Sequence, residues 1–321
     1  MSYLVIGDLH YKDTNLEELH IFEKFVLNIY DPSIKNVVLL GDILDHHSKF
    51  TLQSLVNAIQ FMEKLAERYK VFVLIGNHDR INNQDFLSDY HPFYGIKDDK
   101  ITIINKPILR DQVCFIPYVP PGRFMEAFNT LNCDIRDVKI IFAHQELSGC
   151  HYNCIASTAE NWSSSHPLCV SGHIHQFQKV SNNLIYLGSP IQHFFDEPPD
   201  KYIMKIDISG EYQLMPYRFS LKKVEQFDFK EFMEFVPEDH VKYKINVEVT
   251  MDEKNLIEMS DLYKEIKDKH RIIFKIKMSK KEYERHTFSE FLSNYIKAAG
   301  LTDFFNAFIR NNNVHGIDSI V

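Results

Sequence analysis

The sequence predicts an α/β fold with a parallel-sheet core, a small β-α-β module after it and helices at the C-terminus. Buried-type strand patterns recur through the first half of the chain, helical patterns separate the first three of them, and a period of two returns beyond residue 240. A chain of 321 residues is long enough for one large core and a smaller second unit. These observations predict two domains followed by a helical tail.

The core strands are predicted from short runs that are too continuously apolar for a half-exposed strand. They cover residues 4–6, 37–40, 71–75, 101–104, 138–142 and 168–170. Amphipathic helical stripes at 16–30 and 52–69 lie between the first three runs. Alternation of strands and helices in this order predicts parallel crossovers.

Three further strands, at 184–187, 202–208 and 212–215, follow one another with short connections. This spacing favours an antiparallel meander that closes the core. We expect the first domain to cover residues 1–225.

The second domain is predicted at 226–285. Apolar residues alternate with polar ones over 241–249 and again over 274–278, with a helical pattern at 253–268 between them. In the tail, 286–321, Thr287 and Glu290 form a capping-box signature before an aromatic stripe. These C-terminal helices either pack on the preceding module or dock on another chain, and the sequence leaves both alternatives open.

Composition limits the classes of protein that fit. The chain is 45% hydrophobic and 25% charged, which excludes intrinsic disorder. With 36 basic and 44 acidic residues the net charge is −8, so nucleic-acid binding would need a local basic surface. Five cysteines predict free thiols in a reducing compartment. Without a signal-peptide pattern or a membrane-length apolar run, we expect a soluble, intracellular protein with no membrane association.

Metal-competent side chains follow the predicted strands, in four cases directly after a glycine. The pairs are Gly7-Asp8, Gly41-Asp42, Gly76-Asn77 and Gly172-His173. His144 ends a further strand without a glycine, and His10 and His175 each stand two residues after another donor. Because the carboxyl ends of strands in an α/β sheet share one edge, we expect these side chains to converge there. Glycine permits a turn and a close backbone approach at such points.

Three oxygen donors and four imidazoles without a thiolate suit manganese, iron or zinc. Seven ligands are too many for one catalytic ion that keeps open positions, but they suit two ions about 4 Å apart. Asp42 is the natural bridge between the ions. We assign one ion to Asp8, His10 and His175 and the other to Asn77, His144 and His173.

A single Asp-x-His or His-x-His pair at a strand end is more often a hydrogen-bonded surface pair than a ligand set. Five such segments in register with five strands favour a two-metal site instead.

These motifs resemble those of the calcineurin-like metallophosphoesterases. The matching stretches are Asp8-x-His10, Gly41-Asp42-x-x-Asp45, Gly76-Asn77-His78-Asp79, His144 and Gly172-His173-x-His175. Within that superfamily the sequence is similar to the SbcD-type double-strand-break repair nucleases, in a short phage-like or viral-like form. The stretches that carry this likeness are 116–118, 143–149, 171–176, 186–190 and 194–197.

The resemblance implies a four-layer α-β-β-α sandwich, two divalent ions that are expected to be manganese, and hydrolysis of DNA by a water nucleophile that the metal pair activates. It also implies exonuclease and endonuclease activity in DNA repair and recombination, an SMC-like coiled-coil ATPase of the SbcC type as partner, and a homodimer. A small-nucleotide phosphodiesterase or a phosphatase is the alternative. Protein phosphatases of the superfamily carry an arginine after the residue matching Asp45, where this chain has His46. Because an arginine there would hold a terminal phosphate, its absence argues against a phosphomonoester substrate.

Two residues are predicted to be catalytic. His78, beside Asn77, is positioned to protonate the leaving oxygen. Asp45 would orient His78 as an Asp-His dyad, mainly on the strength of the resemblance, or else cap the next helix. A basic stretch between 264 and 281 offers Lys275 and Lys277 as DNA-binding residues, with a solvated surface as the alternative.

Overall fold

A computed structural model of the chain describes residues 2–47, 49–152, 155–157, 159–218, 221–277, 295–297 and 300–301. Its strands are β1 (Ser2–Ile6), β2 (Ile34–Leu39), β3 (Lys70–Leu74), β4 (Ile101–Ile104), β5 (Ile108–Arg110), β6 (Val113–Ile116), β7 (Ile140–His144), β8 (His151–Tyr152), β9 (Ile155–Ala156), β10 (Leu168–Gly172), β11 (Gln178–Ser181), β12 (Leu184–Tyr186), β13 (Lys201–Asp207), β14 (Tyr212–Tyr217), β15 (Leu221–Phe227), β16 (Val241–Val249) and β17 (Arg271–Ile276). Its α-helices are α1 (Leu16–Leu27), α2 (Leu52–Ala66), α3 (Phe124–Asn129), α4 (Phe229–Met233), α5 (Met251–Met259) and α6 (Asp261–Ile266).

Two six-stranded sheets form the core. The first has the order β14-β13-β1-β2-β3-β4, with β1 to β4 parallel and β13 antiparallel to β1. The second has the order β11-β12-β10-β7-β6-β5, with the four central strands parallel and the two edge strands antiparallel. Parallel pairing places the carboxyl ends of β1, β2 and β3 together in one sheet and those of β7 and β10 together in the other.

The alternating side chains of the strands produce four layers. In β1, Leu4 joins the cluster that α1 and α2 cover, whereas Tyr3 faces the second sheet and its ring lies 5.4 Å from that of Phe142. The rings of Phe72 and Phe115 stack 4.5 Å apart in the same inner layer. α3 packs on the outer face of the second sheet in a third apolar cluster. The predicted α-β-β-α sandwich is therefore confirmed.

The predicted meander after residue 180 is wrong in part. β13 and β14 are antiparallel neighbours as expected, but they extend the first sheet beside β1. β12 instead lies parallel to β10 in the second sheet. The pattern of apolar residues is the same for both arrangements, since it reports burial but not the sheet to which a strand belongs.

The chain divides into two compact units, residues 1–223 with 238–242, and residues 224–237 with 243–321. In the second unit β16 and β17 are parallel, and β15 is a third strand that the sequence pattern did not reveal. The single helix predicted at 253–268 is two helices, because Ser260 is extended and accepts a hydrogen bond from the Tyr263 amide to begin α6. The predicted C-terminal helices lie outside the described residues except for 295–297, which are helical, and 300–301.

Among the described helices, none combines the length and the apolar character needed to cross a bilayer.

Candidate metal centre

Loops at the carboxyl ends of five strands carry the predicted ligands. β1, β2 and β3 of the first sheet lead into the loops of Asp8 and His10, Asp42, and Asn77, while β7 and β10 of the second sheet end at His144 and lead into the loop of His173 and His175. The structure brings five of the seven side chains together in three overlapping groups whose donor atoms lie within 4.8 Å of one another: His10 with His175 and His193, His10 with Asp42 and His78, and Asp42 with His144 and His173. Asp8 lies beside them, with its Oδ1 atom 3.6 Å from His144 Nδ1. Asn77 joins the last group through His144 and His173.

One half of the cluster is arranged around Asn77. Its Oδ1 atom lies 3.0 Å from His144 Nε2 and 2.8 Å from His173 Nδ1. Asp42 Oδ2 lies 3.3 Å from His144 Nε2. The donor atoms of these four side chains lie close together, as those of ligands of one ion do.

The other half contains His10, His175 and Asp8. The Nε2 atoms of His10 and His175 lie 3.1 Å apart, and Asp42 Oδ2 lies 3.5 Å from His10 Nε2. Asp8 Oδ1 accepts a hydrogen bond of 2.7 Å from the His173 amide. A single oxygen of Asp42 thus lies within 3.5 Å of a nitrogen from each half, which is where a bridging carboxylate oxygen would be.

The residues present fit a pair of divalent cations. Two imidazole nitrogens at 3.1 Å repel through their lone pairs unless a proton or a cation lies between them. Asp8 Oδ2 is buried and has no hydrogen-bond partner among the described residues, which is costly for a carboxylate that coordinates nothing. His10, Asp42 and His173 also hold positive φ angles of 47°, 48° and 80°, a strained conformation that clusters at functional sites.

Two glycines are required by close packing at the cluster. A Cβ atom on Gly76 would lie 2.2 Å from Asp42 Oδ1, and one on Gly41 would lie 2.6 Å from His144 Nδ1. Gly41 also has a φ of 102°. Since any larger residue would displace a predicted ligand, the glycines noted in the sequence serve the site through the space that they leave open.

The pKa values of the cluster histidines depend on the charges of their neighbours. Burial, and then the charge of the neighbouring His144, lower the pKa of His173 to about 3. Burial also acts to lower the pKa of His144, but the Asp42 carboxylate outweighs it and raises that pKa to about 9. The buried carboxylate of Asp42 therefore favours positive charge beside it, as a cation site requires.

Asp79 has a structural role that explains its place in the motif. Its carboxylate accepts hydrogen bonds from the backbone amides of Ile43 (3.1 Å), Leu44 (2.9 Å) and Gly76 (3.0 Å). Burial, and then the charge of Asp42, raise the pKa of Asp79 to about 6. Asp79 thus joins the loop of Asp42 to the loop of Asn77 and His78.

The predicted side-chain dyad between Asp45 and His78 is wrong in its geometry. His78 Nδ1 lies 2.5 Å from the backbone carbonyl of Asp45, to which it donates. The Asp45 carboxylate instead lies 2.9 Å from Lys12 Nζ and 3.3 Å from His10 Nδ1. Asp45 therefore orients His78 through its backbone carbonyl and not through its carboxylate. The residue type does not reveal such a contact, because every residue has a backbone carbonyl.

This geometry predicts a mild phenotype for Asp45→Asn. The backbone carbonyl that orients His78 survives, so kcat at saturating metal should stay within about tenfold of the native value. The apparent metal affinity should fall by about 10- to 100-fold, because the carboxylate beside His10 is lost. Turnover titrated with Mn²⁺ measures both quantities. A loss of kcat beyond about a hundredfold at saturating metal would instead support a dyad between the Asp45 carboxylate and His78.

Several residues near the site were not predicted as site residues. Glu197 Oε1 lies 3.2 Å from His175 Nδ1, and its Oε2 lies 2.7 Å from Lys201 Nζ. His193 is buried, and its Nε2 lies 3.1 Å from the carbonyl of Asp8. A carboxylate behind a ligating histidine orients the ring, so Glu197 is a positioning residue for His175. The sequence contained one signal, the stretch 194–197, which carries part of the nuclease resemblance.

His46 and His47 differ in how they lie relative to the cluster. The ring of His47 stacks on that of His78 at 4.8 Å and an interplanar angle of 12°. The side chain of His46 is 69% exposed and lies beside the Asp45 carboxylate. His47 therefore borders the cluster, whereas His46 faces solvent.

The predicted DNA-binding lysines belong to the second unit. Lys275 is exposed on β17, and Lys277 follows that strand with its Nζ 3.4 Å from Glu248. Lys264, Lys267, Lys269 and Arg271 are also exposed, and Lys264 pairs with Asp261. Lys280 and Lys281 lie outside the described residues.

Comparison with known proteins identifies the family. A family model described as calcineurin-like phosphoesterase matches residues 1–177, which include all seven predicted ligands. The chain belongs to the calcineurin-like phosphoesterase family. A calcineurin-like phosphoesterase of this kind is a metal-dependent hydrolase of phosphate esters.

The relatives include two viral proteins. This phosphoesterase is 34% identical over 296 residues to "Putative phosphoesterase 078R" of Invertebrate iridescent virus 3, covering 87% of the chain and 85% of the relative. It is 38% identical over 225 residues to "Putative phosphoesterase 244L" of Invertebrate iridescent virus 6, covering 66% and 79%. A solved structure titled as a novel archaeal phosphodiesterase is 11% identical with a TM-score of 0.36, covering 68% of this chain and 100% of that one.

The chain's own residues define what the site does chemically. Bound divalent cations would supply the positive charge that stabilises an attacked phosphate and makes a water molecule more acidic. Asp42, Asn77 and the cluster histidines would hold that charge in place. The Asp45 carbonyl orients His78, which belongs to the group of His10 and Asp42, so its imidazolium form would be placed to give a proton to an oxygen that leaves the phosphate there.

Proposed function

We propose that this phosphoesterase is a two-metal phosphodiesterase that acts on DNA, with exonuclease and endonuclease activity of the SbcD type. The observation that supports a diester substrate is that the metal centre is bordered by two separate cavities. A phosphodiester carries an organic group on each side of its phosphorus, whereas a monoester carries only one.

The cavities border different parts of the centre. One, of about 580 Å³, is lined by His47 and Asp79, beside the ring of His78. The other, of about 260 Å³, is lined by His173, His175 and Glu197. Each of the two groups of a diester therefore has a space beside the centre.

A clamp for a terminal phosphate is missing at the expected place. Where protein phosphatases carry an arginine, His46 faces solvent. The nearby Arg80 is engaged, since its guanidinium donates to the carbonyls of Tyr118 and Asp85. Among the described residues at the centre, no free guanidinium is available to hold two oxygens of a monoester.

DNA as the substrate is supported by the nuclease resemblance and by the exposed basic residues near β17. Their charge counters the net −8 of the chain locally. The same resemblance supports a homodimer, and a partner that is an SMC-like coiled-coil ATPase binding the 286–321 segment, with manganese as the metal.

The second candidate is a small-nucleotide phosphodiesterase. The cavity of about 580 Å³ favours it, because this volume is within the range of small-molecule sites. Assays of the Mn²⁺-loaded protein on linear DNA, a cyclic nucleotide, bis(p-nitrophenyl) phosphate and p-nitrophenyl phosphate separate the candidates. We expect the p-nitrophenyl diester to exceed the monoester in kcat/KM by at least about tenfold, with cleavage of linear DNA. Monoester preference would reject a phosphodiesterase, and turnover of the cyclic nucleotide alone would reject DNA.

Replacement of Lys275 and Lys277 by alanine tests the DNA surface. If both contact phosphates, the slope of log affinity for DNA against log salt should fall by about one for each lysine. Turnover of bis(p-nitrophenyl) phosphate should stay unchanged. Lys230→Ala, an exposed lysine on α4 whose side chain is 80% accessible, is the matched control. An unchanged slope in the double variant would place DNA binding elsewhere.

A further inference from the structure

The larger cavity is an open cleft, and five of its ten lining residues carry an aromatic ring. We call it the aromatic cleft, and it is lined by His47, Phe50, Ile81, Tyr90, His91 and Tyr94 among others. Tyr90 and Tyr94 are 70% and 69% exposed, and Phe50 is 43% exposed. Exposed large apolar residues that are grouped in one concave surface are typical of a binding site.

The aromatic cleft lies next to the metal centre. His47 forms part of its wall and stacks on His78, which lies in the donor group of His10 and Asp42. Asp79, also in the wall, follows His78 in the chain. A molecule whose phosphate lies at the centre can therefore extend directly into the cleft.

The charged groups of the wall are already engaged. Asp79 accepts three backbone hydrogen bonds, and Arg80 donates to two carbonyls. The Asp89 carboxylate accepts a hydrogen bond of 2.8 Å from Asn105 Nδ2 and forms an ion pair of 3.0 Å with Lys106 Nζ. The cleft therefore suits an uncharged group, not a phosphate.

What remains for a ligand is a set of exposed ring faces, above all those of Tyr90 and Tyr94. A flat, neutral ring suits such a wall, since it stacks on aromatic faces.

We propose that the aromatic cleft binds a nucleobase of the substrate, next to the phosphate at the metal centre. The proposal rests on the proposed function, because it takes the substrate to be a nucleotide or nucleic acid. It names the part of the substrate that the cleft recognises. Base stacking on Tyr90 and Tyr94 then contributes to affinity with little dependence on sequence.

Equilibrium binding tests the proposal without relying on turnover. Calorimetry of the Mn²⁺-loaded protein compares thymidine 5′-monophosphate with 2-deoxyribose 5-phosphate, which has the same phosphate and sugar but no base. We expect the nucleotide to bind about tenfold more tightly. The Tyr90→Leu, Tyr94→Leu double variant should bind both ligands equally, with the sugar phosphate unaffected. Tyr30→Leu, which alters a tyrosine that is 87% exposed outside the cleft, should retain the difference.

The outcomes distinguish this proposal from the proposed function. Equal binding of the two ligands by the native protein, or a difference that persists in the double variant, would overturn the cleft as a base site whatever the turnover. A base-dependent difference in a protein that cleaves no phosphodiester would support the cleft and reject the proposed function. Cleavage of an oligonucleotide that has abasic positions on both sides of one phosphate supplies a second readout, in which the native protein should lose about tenfold at that phosphate and the double variant should not.

Discussion

Replacing Asp42 by alanine is expected to abolish metal binding and to lower phosphodiester turnover by more than about a thousandfold. The reason is that one carboxylate oxygen lies within 3.5 Å of both His10 Nε2 and His144 Nε2, so its removal takes a ligand from both halves of the cluster. Since metal ions contribute several kcal/mol to charge stabilisation, a loss of this size follows. Metal content after dialysis and turnover of bis(p-nitrophenyl) phosphate measure the two effects.

A second variant shows whether the alanine substitution acts on metal binding or on folding. The isosteric Asp42→Asn variant keeps an oxygen for the His78 amide, which donates to Asp42 Oδ1 at 2.8 Å. Saturating metal raises the melting temperature of a protein that binds it only when folded, so the native protein should gain stability with Mn²⁺ and both variants should not. Asp99→Asn, an exposed carboxylate away from the centre, should behave like the native protein. If the Asp42→Ala protein still bound two ions, Asp42 could not be the ligand that bridges them.

The parts of the site that the sequence predicts share one physical origin. Asp8, Asp42, Asn77 and His144 end or follow buried strands, and parallel pairing brings such ends together within each of the two sheets. Residue type then indicates the chemistry, since carboxylates, an amide and imidazoles are metal ligands. The four-layer sandwich followed from the resemblance, because the apolar pattern alone does not divide strands between two sheets, as β12 and β13 show.

The parts that the sequence does not predict depend on long-range contacts of irregular segments. Glu197 and His193 lie in the irregular segment between β12 and β13, where no repeating pattern of apolar residues indicates the direction of a side chain. His193 contacts the carbonyl of Asp8, 185 positions earlier in the chain. The contact of His78 uses a backbone carbonyl that every residue possesses. The aromatic cleft was missed for a related reason, because Tyr90 and Tyr94 lie in a loop where exposed aromatic residues carry no pattern.

His78→Ala is expected to keep both metals and to lower DNA cleavage by about 100- to 10,000-fold. The Asp45 carbonyl accepts the Nδ1 proton and holds the ring, so in the imidazolium form the second proton, on Nε2, is the one given to the leaving oxygen. A sugar oxygen leaves poorly without a proton, whereas p-nitrophenolate leaves well. The loss should therefore be much smaller on bis(p-nitrophenyl) phosphate than on DNA, and this ratio is a readout that a purely structural role would not change.

A competing role for His78 is that of an additional metal ligand, since its ring nitrogen belongs to the group of His10 and Asp42. Metal analysis decides between the two roles. A ligand role predicts that His78→Ala loses metal and fails equally on both substrates, as an Asp42 variant does. A proton donor predicts full metal content and a loss that grows as the leaving group becomes more basic. His46→Ala changes a neighbouring imidazole that is 69% exposed, so it should alter neither quantity and sets the scale for a nonspecific effect.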